Sequence, residues 1–153
     1  LERLTDHYPR ATKESRDHRT VSLRQYRESV LRDLQWLFNS ESHPRPGEFE
    51  GLPRVQASVV NYGIRSLTGT WLASHDTDEI EAISREAVLH FEPRIIPDTL
   101  VVTLITGDLA DNVAQGAISL EIRAELWAKP MPEQLYIRTE LDLETGSCSL
   151  RKT

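Results

Sequence analysis

Cysteine is nearly missing. Cys148 is the only one in 153 residues, which excludes an intrachain disulfide and a zinc site built from cysteine thiolates, and fits a reducing compartment. Long apolar runs are missing as well: no stretch approaches the roughly 20 apolar residues that span a bilayer. Residues 1–20 also lack the apolar centre of a secretory signal, so no direct membrane insertion is expected. There is no excess of cations either. Eighteen Lys and Arg face 24 Asp and Glu, a net charge of -6, and residues 1–20 hold five against four, which leaves 13 against 20 for the body. Phosphate backbones are bound by clustered Lys and Arg that release counterions, so no nucleic-acid partner is expected.

Catalytic motifs are absent too. The histidines at positions 7, 18, 43, 75 and 90 show no metal-ligand spacing. His90-Phe91-Glu92 matches the H-x-E of zinc deaminases, but that chemistry needs a P-C-x-x-C partner, which a single cysteine cannot supply. No nucleophile elbow, phosphate loop or dinucleotide turn occurs. Glycoside hydrolysis needs only two carboxylates a few ångströms apart, yet nothing singles out one pair among the 24 acidic side chains. Most of them alternate with apolar residues on strands or sit on wet helix faces. The expectation is a protein that is not an enzyme, with no catalytic residue, metal, cofactor or small-molecule substrate.

What is present reads as a folded domain. Apolar residues make up 39% and charged residues 27%, too apolar for disorder. Residues 1–20 have no sustained period and read as a flexible leader or docking peptide, followed by one domain over 21–153. Ser22 with Gln25 forms a capping box, and Leu23, Tyr26, Val30, Leu34 and Leu37, widened by Leu31 and Phe38, predict a helix from about Ser22 to Asn39. Pro44, Pro46, Gly47, Gly51 and Pro53 break the chain. Val55–Tyr62 is apolar without a clear period and closes on Gly63. Asp76 and Glu79 open a second helix carrying Ile80, Ile83, Ala87 and Phe91, stopped near His90 by Pro93.

Beyond Leu100 the period changes to two. Leu100–Thr106, Ile118–Leu126, Leu135–Glu144 and Ser147–Thr153 read as strands, the last two joined at Thr145-Gly146. The fold class is α+β, an antiparallel β-meander covered on one side by two main helices.

Three features stand out as candidate partner-binding sites. Glu92-Pro93-Arg94 sets opposite charges around a helix-stopping proline within apolar flanks, as a helix-end ion pair or as a corner whose guanidinium reaches a partner. Trp127 falls on the polar phase of its strand, unlike an ordinary core tryptophan. It is an interface anchor or packs under a loop. The Ser147–Thr153 strand is a sheet edge unless another element covers it. Ser149 lies on it, and Arg138 and Glu140 lie on the wet face of its neighbour.

The order of these elements and several short strings resemble the TssE family of type VI secretion baseplate proteins and the sheath-initiating wedge proteins of contractile phage tails. Leu1-Glu2-Arg3-Leu4 looks like the family's leader motif. Arg32-Asp33-Leu34-Gln35-Trp36-Leu37-Phe38-Asn39 is similar to its first-helix signature, with Ser40-Glu41 in place of Thr-Arg. Ser58-Val59-Val60-Asn61-Tyr62-Gly63, Leu67-Thr68-Gly69, Glu92-Pro93-Arg94 and the segment Leu135–Gly146 resemble further family motifs in order. The resemblance implies a cytoplasmic assembly part at an inner-membrane-docked baseplate. Its implied partners are the wedge subunits TssF, TssG and TssK and the sheath subunits TssB and TssC, with the C-terminal strands templating the sheath. An anti-adaptor of the IraD type binding a response regulator and a peptidoglycan glycosidase are the rival expectations.

Overall fold

The computed structural model describes residue 10 and residues 21–42, 49–65, 77–105, 117–142 and 144–152. Seven elements follow in chain order: α1 (Leu23–Phe38), α2 (Pro53–Gln56), α3 (Thr77–Phe91), β1 (Val101–Leu104), β2 (Ala117–Leu126), β3 (Glu133–Asp142) and β4 (Cys148–Lys152). Two 3-10 turns stand at Val59–Asn61 and Pro97–Thr99.

The capping box starts α1 as expected. Ser22 Oγ accepts from the Gln25 N–H at 3.3 Å while Gln25 Oε1 accepts from the Ser22 N–H at 3.1 Å, which satisfies two donors the first turn leaves open. The helix buries Val30, Leu31, Leu34, Leu37 and Phe38. Leu23 departs from the expected stripe and is 50% exposed. There α1 faces the β2–β3 connection, with Tyr26 Oη donating to the Trp127 carbonyl at 2.9 Å, rather than the sheet interior. α3 runs to Phe91, one residue past the expected stop, and buries Ile80, Ser84, Ala87 and Val88. Asp76, its expected opening residue, and Leu67-Thr68-Gly69 lie outside the described residues.

The four strands form one antiparallel sheet in the order β1-β2-β3-β4, the expected meander. Alternation decides which face is dry. Ile118, Leu120, Ile122, Ala124 and Leu126 of β2 and Leu135, Ile137, Thr139 and Leu141 of β3 are buried, and the register opposes Ile122 to Ile137 and Leu120 to Thr139. On that face α3 packs against β1 and α1 against β4, and the two helices touch each other. Each fully buried aliphatic side chain contributes about 1.5–3 kcal/mol, so the layer of helices on this face is the main source of stability. β1 is shorter than the expected Leu100–Thr106, and Thr106 lies outside the described residues. The β3 ladder ends at Asp142, short of the expected Glu144, because the turn begins there. Asp142 N–H donates to the Ser147 carbonyl and Gly146 N–H to the Asp142 carbonyl, each at 2.8 Å, with Gly146 at φ 70°.

The segment Val55–Tyr62 resolves into α2 and the first 3-10 turn. It then runs beside the end of α1: Ile64 N–H donates to Ser40 O at 3.0 Å and Ser42 N–H to Ile64 O at 2.9 Å, a parallel bridge between Glu41 and Ile64. Among the described residues no helix is long and apolar enough to cross a membrane.

Candidate functional site: a charged corner and a sheet edge

The corner after α3 is built by Pro93. It stops the helix and turns Arg94 back over the carboxylate of Glu92, whose side chain is only 3% exposed. Arg94 Nε donates to Glu92 Oε1 at 2.6 Å, and its Nη2 also reaches Glu92 Oε2. The guanidinium then bridges to α1, donating to Asp33 Oδ2 at 2.6 Å and to Ser29 Oγ at 3.0 Å. Ser29 and Asp33 lie one turn apart on α1, so the fork meets both from the same side. Burial alone would lower the Arg94 pKa, but the hydrogen bonds and charges of Glu92 and Asp33 outweigh it and hold the group above its ordinary value.

The backbone of the same corner ends β2. Trp127 N–H donates to Arg94 O and Ile96 N–H to Glu125 O, both at 2.8 Å. Of the two sequence alternatives for Glu92-Pro93-Arg94, the structure contains an ion pair, and it ties the end of α3 to α1 rather than closing one helix end alone. It also borders an open groove of about 670 Å³ walled by Asp33, Trp36, Tyr62, Phe91, Pro93 and Arg94 among others. Tyr62 and Phe91 meet edge to face at 5.2 Å in this wall, and Trp36 is 49% exposed under the Arg32 guanidinium. Burial, with the nearby charges of Asp33 and Glu92, raises the Tyr62 hydroxyl pKa.

Trp127 lies away from this groove on the β2–β3 connection, 62% exposed with the Lys129 ammonium 5.6 Å from its ring. Arg138 and Glu140 stand on the outer face of β3, half-buried and engaged with neighbours. Ser149 is exposed on β4 opposite Glu140. The predicted residues therefore fall into three places: the corner, the hairpin connection, and the outer face next to the β4 edge.

Two sets of side chains escaped sequence reasoning, and both sit at the sheet edges. In β4 the Cys148 N–H donates to Asn39 Oδ1 at 2.9 Å, and the Cys148 carbonyl accepts from Asn39 Nδ2 at 2.9 Å and Gln35 Nε2 at 2.8 Å. In β1 the Leu104 N–H donates to Glu81 Oε1 at 2.7 Å, and the Leu100 carbonyl accepts from Arg85 Nε at 3.4 Å. Gln35 and Asn39, like Glu81 and Arg85, are four residues apart on a helix that flanks the edge. That spacing was the available signal, although polar pairs at i,i+4 ordinarily mark a solvated face.

Because main-chain groups alternate along an edge strand, the outward pairs of β4 are those of Cys148, Leu150 and Lys152, while Ser149 N–H faces β3. Among the described residues, none bonds the outward groups of Leu150. The Cys148 thiol points to the core, where burial outweighs a hydrogen bond to Thr139 and pushes its pKa up to about 12. Among the described residues no cluster of three or more His, Cys, Asp and Glu could hold a metal ion.

Residues 24–131 match the family described as baseplate wedge protein gp25. A crystal structure from Geobacter sulfurreducens, provisionally described as a tail lysozyme, is 17% identical and aligns over 78% of this chain and 94% of its own with a TM-score of 0.46. No curated protein matches the chain. With the family match spanning α1 to the β2–β3 connection, the chain belongs to the baseplate wedge protein gp25 family and has a structural role of the phage-baseplate type.

Proposed function

We propose that this chain is a wedge subunit of a type VI secretion baseplate, assembled in the cytoplasm at the inner membrane, and that it starts the contractile sheath by accepting strands along β4. The observation that carries the reading is a sheet edge ending in a strand with outward main-chain groups, in a chain of a baseplate wedge family. Such an edge pairs with an extended segment of another chain through backbone hydrogen bonds. TssB and TssC would supply the added strands. TssF, TssG and TssK would be the wedge neighbours, with the open groove beside Glu92, Pro93 and Arg94 and the exposed Trp127 as contact points.

Proline scanning tests the strand step. Leu150→Pro removes an outward donor and spares the β3 ladder, whereas Ser149→Pro removes a donor that faces β3. Cells carrying Leu150→Pro should show baseplate foci with no sheath extending from them when the sheath is fluorescently labelled. Normal sheath growth on a folded Leu150→Pro chain rejects strand templating.

A further inference from the structure

Cys148 opens β4, and its outward main chain is already paired. A single carboxamide takes both of its groups: Asn39 Oδ1 accepts from the N–H and Asn39 Nδ2 donates to the C=O, each at 2.9 Å. This is the pattern a neighbouring strand would offer at that position, made by one side chain. The mimic is held rigidly. The second hydrogen of Asn39 Nδ2 donates to Gln35 O at 2.7 Å, and Gln35 Nε2 adds its own bond to the Cys148 carbonyl at 2.8 Å. Two residues along, Leu150 has no such partner among the described residues, and Lys152 continues the same outward phase.

We infer that Asn39, supported by Gln35, is a register stop for a strand added to β4. The incoming chain pairs with the outward groups of Leu150 and Lys152 and must diverge before Cys148. This inference rests on the strand-addition reading above. Its physical content is specificity. A strand laid on an open edge can slide by two residues and keep the same faces, while a slip of one turns every side chain to the wrong face. Closing one outward position removes the two-residue slide toward the turn. The other edge has a comparable closure at Leu104 N–H and Leu100 C=O, which leaves Val102 as its open outward position among the described residues and makes β4 the longer available edge there.

Residue-resolved amide hydrogen exchange on the full chain, alone and bound to its co-expressed sheath subunits, separates the two ideas. In the wild-type chain alone, Cys148 N–H should exchange slowly. On sheath binding, Leu150 and Lys152 should become protected and Cys148 should not change. Asn39→Ala should speed Cys148 exchange about tenfold in the free chain, through loss of one partner group. Binding should then protect Cys148, because the added strand runs past the missing stop. Asn39→Ser, short like alanine and unable to take both groups of Cys148, carries the same expectations should Asn39→Ala fail to fold. Asn39 has φ -99° and ψ 8°, so neither substitution meets backbone strain. Protection confined to Leu150 and Lys152 in both variants overturns the register stop alone. Absence of protection at Leu150 and Lys152 in the wild type overturns strand addition itself, while the free-chain exchange at Cys148 still reports the Asn39 clamp.

Discussion

At Arg94 a guanidinium next to a helix-stopping proline finds partners on two helices, Glu92 at the end of α3 and Asp33 and Ser29 on α1. Removing it strands the Glu92 carboxylate, which is 3% exposed, and an uncompensated buried charge costs about 3–5 kcal/mol. Arg94→Ala should therefore lower the urea midpoint of the isolated domain by a corresponding amount with an unchanged m-value. Arg94→Lys, which keeps the charge without the planar fork, should fall between. Loss of wedge binding in Arg94→Ala must then be measured well below its melting temperature to count as a contact effect. Asp142 gives the pH dependence at this scale. The Thr145 and Glu144 N–H groups hold its pKa below the ordinary carboxylate value, so its stabilisation is present above the unfolded pKa near 4 and is lost as pH falls through the lower folded value. Protection factors of the turn amides, corrected for the intrinsic pH dependence of exchange, should fall as pH drops below about 4, and Asp142→Asn should remove that step. The Glu92-Arg94 pairing was legible from the motif itself. Its tie to α1 was not, because Asp33 and Ser29 lie 61 and 65 residues away in sequence and no local pattern encodes that meeting.

Elements with a strong period were read correctly from sequence, and those held by tertiary contact were not. The capping box and apolar stripe place α1, and period-two alternation places β2 and β3, since each pattern is the direct geometric consequence of burying one face. α2 is four residues long and the following 3-10 turn three, too short to carry a helical period or to stand alone in water. What fixes this stretch is the close approach at Gly63, where φ is 130° and an added Cβ would lie 2.4 Å from Ser40 O. The clash is with backbone, which cannot swing aside. Gly63→Ala should cost about 1–3 kcal/mol from conformational strain, and more from the forced separation of the Glu41–Ile64 bridge. Thermal unfolding would record this as a drop of several degrees at least, and an unchanged melting temperature would contradict the geometry.

For the molecule as a whole, the meander was visible because its pairings join strands that follow one another in sequence, β1 to β2 to β3 to β4. The edge closures were hidden, since they link Asn39 to Cys148 across 109 residues and Glu81 to Leu104 across 23. That arrangement has a consequence for folding. The sheet can form from near neighbours early, but Cys148 acquires its cover only when α1 docks, and long loop closures are slow relative to local pairing. A chain caught with its sheet formed and α1 undocked exposes the full β4 edge together with the apolar face beneath it, a template for pairing with other such chains. Mildly denaturing conditions that loosen α1 should therefore produce concentration-dependent light scattering before global unfolding is complete. Asn39→Ala should move its onset to lower denaturant than an equally destabilising core substitution such as Ala87→Gly, because the helix that guards the edge would dock with only the Gln35 bond left to hold it shut.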